Sequence, residues 1–280
     1  MRIAVAIISR GRPLKLIGVV EGMAALASGK HEIIYGVRCD EDDPQTMEAA
    51  EALSTGHPIL IQSGPRPATL GEAHNGLMAG MQGEAGPFGV FVSWIDRTFV
   101  VTPGWDEEIA REAAADSIRL MWWKSEQDPH PTHPVVPAGW YDACGGRVWA
   151  EFFPFWFANT WLAEVWELAR GAELVFLNTV QYAGRRGRTQ RLRDLMFWSE
   201  FYQAMRPMRV EEAARIRAVL GWPEPPNTAA RVAEWEGQWK QFRWRMPEIE
   251  RQFESGWEPD AQYLETRARA EAMMGGKAKA

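Results

Sequence analysis

The chain has 280 residues, of which 46% are hydrophobic and 24% charged, and its 31 Lys and Arg against 37 Asp and Glu leave a net charge of −6. This is the composition of an ordinary soluble globular protein with room for one large domain or two small ones, and its acidity gives no global pull toward nucleic acid or an anionic membrane. The two cysteines, Cys39 and Cys144, form no CxxC pair and no disulfide framework, and no apolar stretch approaches the ~20 residues that span a bilayer, so a reduced, cytoplasmic setting is expected.

The first apolar run, residues 3–8, reads as a buried strand and is too short for a signal peptide. Leu14, Ile17, Val20 and Met23 then recur at helical spacing. Strand-like runs follow at 33–37, 59–61, 89–94 and 118–122, separated by helical texture around Met47, Ala50 and Leu53, at 71–81 and at 105–115. Such alternation predicts a mostly parallel sheet with helices on both faces, and ligands in such sheets bind beyond the carboxyl ends of the strands. Residues 124–137 are rich in proline and are expected to form a loop. Helical texture returns at 155–170, a strand is expected at 173–178, and a helix over about 192–205 follows an arginine-rich loop. The remainder reads as helical, broken at 221–227 by GWPEPPN. Eleven of the 15 Trp fall from Trp140 onward, which predicts an aromatic core for the second half of the chain.

The predicted strand ends carry the polar chemistry. The first ends in Ser9-Arg10-Gly11-Arg12-Pro13, the second in Arg38-Cys39-Asp40-Glu41-Asp42-Asp43-Pro44, and the fourth in Asp96-Arg97. The acidic run can cap the following helix or accept hydrogen bonds from a nucleobase or ribose. No GxGxxG follows the first strand, and no Walker loop, HExxH or GxSxG occurs, which disfavours dinucleotide oxidoreductases, NTPases, zincins and serine hydrolases of the usual kinds. His130 and His133 lack a third ligand, so a surface loop is expected there rather than a metal site.

SRGRP after the first strand, DEDD after the second, the helix GEAHNGLMAGM, and an Asp followed by TPGWDEEI after the fourth occur in this order. Together they resemble the GT-A glycosyltransferases of family 2, and the similarity extends to about Asp194. Related bacterial and phage sequences carry an acidic pair before TPGWD, then DTWL, then an arginine-rich segment before RDL.FW; here the later pieces are NTWLAEV at 159–165 and RLRDLMFW at 191–198. The resemblance implies a GT-A fold over residues 1–205, with a mainly parallel sheet flanked by helices, and a C-terminal helical extension over 206–280. It also implies a nucleotide-diphosphate-sugar donor. Ser9, Arg10 and Asp40, with Asp42 as second choice, would hold base and ribose; Asn75 would lie near ribose and diphosphate; Asp96 would bind Mn2+ or Mg2+ through diphosphate oxygens.

Three positions depart from the family. Arg97 stands where a second acid is expected, Asn159 stands where the DTWL-type motif has its Asp base, and no His occurs near residues 180–182 to help hold a metal. Two readings follow. In the first, the enzyme is active and inverting, with its charge source replaced: Arg97, with some of Arg185, Arg186 and Arg188, supplies positive charge, and Glu151 or Asp96 serves as base. In the second, a catalytically degenerate domain binds a nucleotide, a glycan or a protein partner. Plainer roles compete at each position: Asp96–Arg97 as a strand-end ion pair, the arginines of 185–193 as a solvated helix entry, and Trp94, Trp156 and Trp161 as packing residues rather than sugar platforms. Nucleic acid is disfavoured as partner because the chain is acidic and carries no reading motif.

Overall fold

The computed structural model describes residues 1–125, 131–154, 157–172, 174–182, 194–253 and 258–277. β1 (Arg2–Ile8) contains five consecutive residues, Ile3 to Ile7, with no exposed surface, so both of its faces are covered. Burial on both faces is characteristic of a central parallel strand. β1 pairs in parallel with β2 (Glu32–Asp40) and β4 (Val90–Ile95), and β2 pairs in parallel with β3 (Ile59–Gly64). With β5 (Thr98–Val100), β6 (Met121–Ser125), β7 (Pro134–Pro137) and β8 (Val175–Tyr182) the sheet runs β3-β2-β1-β4-β7-β6-β8-β5. β6 and β8 are also parallel, whereas β7 runs antiparallel to β4 and β6, and β5 to β8. The sheet is mixed around a parallel core, as the alternating pattern predicts.

Helices α1 (Pro13–Leu26), α2 (Pro44–Glu51), α3 (Leu70–Ala85), α4 (Trp105–Ala115) and α5 (Ala138–Ala143) connect these strands. α1 starts with Pro13 in its first turn and buries Leu16, Val19, Val20 and Met23, one stripe at 3.6-residue spacing; of the row expected from the sequence Val20 and Met23 are buried, Ile17 is half-buried, and Leu14, in the first turn, is 83% exposed. The TPGWD motif proves to be a structural joint. Gly104 takes a left-handed conformation (φ 68°) ahead of α4 and donates its N–H to Leu26 O at 2.7 Å. Trp105, fully buried, donates Nε1–H to Met23 O at 2.9 Å, and Asp106 accepts from the N–H and hydroxyl of Ser28 at 2.8 and 2.6 Å. The start of α4 is thereby tied to the end of α1.

Several sequence expectations are corrected. β2 runs three residues further than expected, which puts Asp40 inside the strand, and β6 begins at Met121 rather than at 118. The expected loop at 124–137 contains β7, whose prolines sit at its two ends. Val135 and Val136 supply its interior, and neighbouring backbone closes the ladder through Trp123 N–H to His133 O (3.1 Å) and Ala138 N–H to Gly89 O (2.9 Å). His133 is not on a surface loop. It is 3% exposed, 3.1 Å from Thr98 Oγ1, and its ring lies 4.6 Å from that of Trp94.

Two compact units share the chain. The first comprises Met1–Pro67, Glu72–Trp149 and Leu174–Gly184; the second comprises Ala68–Gly71, Ala150–Glu173 and Arg185–Ala280. In the second, α6 (Ala158–Arg170), α7 (Leu195–Ala204), α8 (Arg206–Leu220), α9 (Thr228–Phe253) and α10 (Ala261–Lys277) follow one another. Gly221 ends α8 in the left-handed conformation, at the start of the expected GWPEPPN break. Phe153, Trp161, Trp198, Phe201 and Tyr202 form an aromatic core, with Phe153–Phe201 centroids 5.5 Å apart. Arg209, fully buried, donates Nε–H to Glu164 at 2.6 Å and lies over the Tyr202 ring at 3.8 Å, fixing α8 to α6. Among the described residues no helix is long and apolar enough to cross a membrane.

Candidate functional site

The polar residues predicted on three strand ends meet. Ile8 pairs with Arg38 on one side and with Ile95 on the other, so Ser9, Asp40 and Asp96 emerge side by side at the carboxyl edge of β1, β2 and β4. Ser9, 2% exposed, donates its hydroxyl to Asp96 Oδ2 at 2.7 Å. Arg10 bridges the acidic run: Nη1 bonds Asp40 Oδ2 at 2.5 Å, and both terminal nitrogens bond Asp42 at 2.6 and 2.9 Å. Asp42, then Asp40, hold the Arg10 guanidinium above its ordinary pKa, and Arg10 in turn holds Asp42 below the usual carboxylate range. Asp43 divides its carboxylate between the Gly11 N–H (2.5 Å) and the Thr46 N–H at the start of α2 (3.3 Å). Of the acidic run, Asp43 caps a helix, and Asp40 and Asp42 line the rim with Arg10 between them.

Asp96 has no exposed surface. Burial pushes its carboxyl above the ordinary value, while the Ser9 hydroxyl, the Arg12 guanidinium, the Arg10 backbone N–H and the Arg97 charge pull it down. Its ion-pair partner is Arg12, not the adjacent Arg97. Arg12 Nη2 lies 2.9 Å from Asp96 Oδ1, close enough for charge pairing though not aligned as a hydrogen bond. Arg12 is the residue that the sequence reading missed. Its signal was present in Ser-Arg-Gly-Arg-Pro: Gly11 adopts a left-handed conformation (φ 63°), and the turn it makes sends Arg10 and Arg12 to different carboxylates. Arg97 is half-buried and, among the described residues, makes no hydrogen bond or ion pair.

Asn75 does not join this cluster. Its Oδ1 accepts from the N–H groups of Val148 (3.1 Å) and Trp149 (3.0 Å), and its Nδ2 donates to Trp149 O at 2.9 Å. The neighbouring His74 stacks on Trp149 with centroids 4.9 Å apart, and Trp149 Nε1–H donates to Ser93 Oγ at 3.2 Å. The amide is thus a clamp for the 148–149 backbone. Glu151 and Asn159 belong to the second unit, both half-buried, with Asn159 in the first turn of α6. Arg185, Arg186, Arg188 and Trp156 lie outside the described residues. Trp94 and Trp161 are packing residues: each is at most 2% exposed, and their indole N–H groups are held by Thr98 O and Glu212 at 2.8 and 2.7 Å.

The rim does not fit a divalent cation. A hard cation held by one or two carboxylates, with water and phosphate oxygens completing its shell, needs those carboxylates open to it. Among the described residues no group of three His, Cys, Asp or Glu is arranged to hold a metal ion, and Asp40 and Asp42 are taken up by Arg10. Asp96 is enclosed by Ser9 and Arg12, and Thr98, two residues on, turns its hydroxyl to His133. What the rim can do is accept hydrogen bonds from hydroxyl and N–H groups at Asp40 and Asp42, and attract an anion at its arginines.

No protein-family model matches the sequence, and neither does any curated protein. Solved structures do match. The mannosyltransferase PcManGT from Pyrobaculum calidifontis, in complex with GDP-Man and Mn2+, is 10% identical with a TM-score of 0.56, over 95% of this chain and 85% of that one. Glucosyl-3-phosphoglycerate synthase from Mycobacterium tuberculosis, in complex with Mn2+, UDP and phosphoglyceric acid, is 15% identical with a TM-score of 0.53, over 74% and 78%. TarS residues 1–349 from S. aureus is 8% identical with a TM-score of 0.51, over 77% and 70%. At such identities the likeness establishes the fold: the chain has the GT-A glycosyltransferase architecture, and its structural neighbours include a mannosyltransferase that holds GDP-Man and a synthase that holds UDP.

Proposed function

We propose that the protein transfers a sugar from a nucleotide-diphosphate donor to an acceptor hydroxyl, with inversion at the transferred carbon. The observation that carries this reading is the convergence of Ser9, Arg10, Asp40, Asp42 and Asp96 at the carboxyl edge of three adjacent parallel strands. Asp40 and Asp42 accept hydrogen bonds from ribose or base there through the lone pairs that Arg10 leaves unused, and Arg10 stays between them. The acceptor hydroxyl loses its proton to a carboxylate. Of the two candidates that the sequence supplies, Asp96 is enclosed by Ser9 and Arg12, which favours Glu151, and Asn159 is an amide that cannot take a proton. The Mn2+ of the neighbouring structures finds no matching ligand set on this rim, and no step here runs through a cation. The order of motifs supports a likeness to the family 2 enzymes of bacteria and phages, and the two free cysteines, Cys39 and Cys144, support a cytoplasmic setting.

Calorimetry with UDP, GDP, ADP, CDP and dTDP tests the donor site, and release of nucleoside diphosphate from the matching sugar donors tests turnover. Saturable binding of one of these is expected, weakened at least tenfold by Asp40→Ala. Failure of all five to bind refutes the reading. Binding without turnover in the presence of an acceptor library supports the alternative, a non-catalytic nucleotide-binding domain, which the amide at Asn159 favours.

A further inference from the structure

We propose that Arg12 and Arg97 take the place of a divalent cation in neutralising the donor's diphosphate, and that Asp96 is a positioning residue for Arg12 rather than a metal ligand. The inference rests on the donor reading above. The burial of the Asp96–Arg12 pair is lopsided: the carboxylate has no exposed surface, whereas the Arg12 side chain is 37% exposed. The pair therefore holds a cation at the surface by means of an anion beneath it. Asp96 Oδ2 is taken by Ser9, and the Arg10 backbone N–H also reaches the carboxylate. Oδ1 faces Arg12 Nη2 at 2.9 Å, which occupies one corner of a guanidinium with five N–H donors. Arg97 follows directly in the chain, half-buried, with its donors unspent among the described residues. Arg10, by contrast, is committed to Asp40 and Asp42.

Two further features point the same way. α1 begins at the residue after Arg12 with no acidic residue in its first turn and no side-chain cap, so its positive end adds to the same loop. A divalent cation brought to Asp96 would also approach two guanidinium groups and be repelled by both, whereas a diphosphate would be attracted by both.

In the transfer step the bond between the sugar's anomeric carbon and the β-phosphate oxygen breaks, and its electron pair stays on that oxygen. The acceptor oxygen bonds the anomeric carbon from the opposite face, and its proton passes to the carboxylate base. Arg12 and Arg97 donate N–H to the diphosphate as its charge grows, the task a metal performs in the neighbouring fold.

The test is calorimetry on the full chain with UDP and GDP, in EDTA and again in Mn2+. The expected result is an affinity that changes less than about threefold between the two conditions. Arg12→Gln and Arg97→Gln are each expected to weaken diphosphate binding about tenfold while leaving the parent nucleoside unaffected, with Arg12→Lys recovering part of the loss. Asp96→Asn should show the same selective loss of diphosphate over nucleoside, which a general loosening of the fold would not produce. Should that variant fail to fold, the Arg12 variants decide alone, because Arg12 reaches the surface. Binding that appears in Mn2+ and vanishes in EDTA overturns this inference and leaves the donor reading intact, as does unchanged affinity in both arginine variants. Absence of binding in either condition overturns both.

Discussion

Replacing Asn75 by Ala separates the two roles open to that residue. The substitution removes one acceptor and one donor from a site where Asn75, Val148 and Trp149 are 5%, 2% and 4% exposed. The N–H groups of Val148 and Trp149 lose the oxygen they share at 3.1 and 3.0 Å, and Trp149 O loses its donor at 2.9 Å. A buried donor left unpaired costs about 1–3 kcal/mol. Two such donors, eased by partial relaxation or an entering water, put the expected loss at roughly 3 kcal/mol. For a chain of this size that lowers the melting temperature by roughly 6–12 °C. The measurement is urea and thermal unfolding by tryptophan fluorescence and circular dichroism, with nucleoside diphosphate affinity measured below the transition. Asn75→Asp retains the shared acceptor but sets a carboxylate against Trp149 O, and should fall between the wild type and Asn75→Ala. Affinity of the folded protein should change by less than a factor of about 3, because the amide is already spent on the backbone. A wild-type melting curve with nucleotide binding abolished would refute this assignment and return Asn75 to the ligand.

Acid should destabilise the first unit through its buried histidines. Burial holds the His133 and His74 imidazoles down to about 3, against ~6.5 in an unfolded chain, so between these values the unfolded chain binds protons that the folded one does not. Their contribution is full above pH ~6.5 and is lost as the pH falls toward 3, by about 2 kcal/mol each at pH 5. His133→Gln should flatten the fall of urea midpoint between pH 7 and 5, and an unchanged slope would count against the neutral buried imidazole. In the second unit, Glu164→Ala leaves the fully buried Arg209 uncompensated and should cost about 3–5 kcal/mol, whereas Glu164→Leu with Arg209→Met should regain most of that loss; equal losses in both would refute the desolvation account.

What could be read from the sequence was whatever repeats locally. The apolar run of β1, the helical period of α1 and the Gly221 break each follow from the period or backbone preference of a few adjacent residues, although the face that α1 buries lies around Leu16 and Val19 rather than Leu14 and Ile17. The rim was legible for a related reason: a parallel sheet sends all its strand ends to one edge, so the polar residues closing the first, second and fourth apolar runs had to emerge together. His133 and β7 were not legible, because a proline-flanked Val-Val pair becomes a strand only when β4 and β6 stand on either side of it. Asn75 looked like a ligand residue because nothing near it in sequence reveals Val148 and Trp149, more than 70 positions away.

The sequence by itself determined that carboxylates and arginines would gather at one sheet edge. Only the tertiary structure decided the pairing among them, giving Arg10 to Asp40 and Asp42 and Arg12 to Asp96, and leaving Arg97 unspent among the described residues. The physical reason is range. Strand and helix periodicity is written over four to eight residues, whereas ion pairing at the rim depends on which side chains the fold brings within 3 Å of one another, and Ser9 and Asp96 meet across 87 positions of sequence.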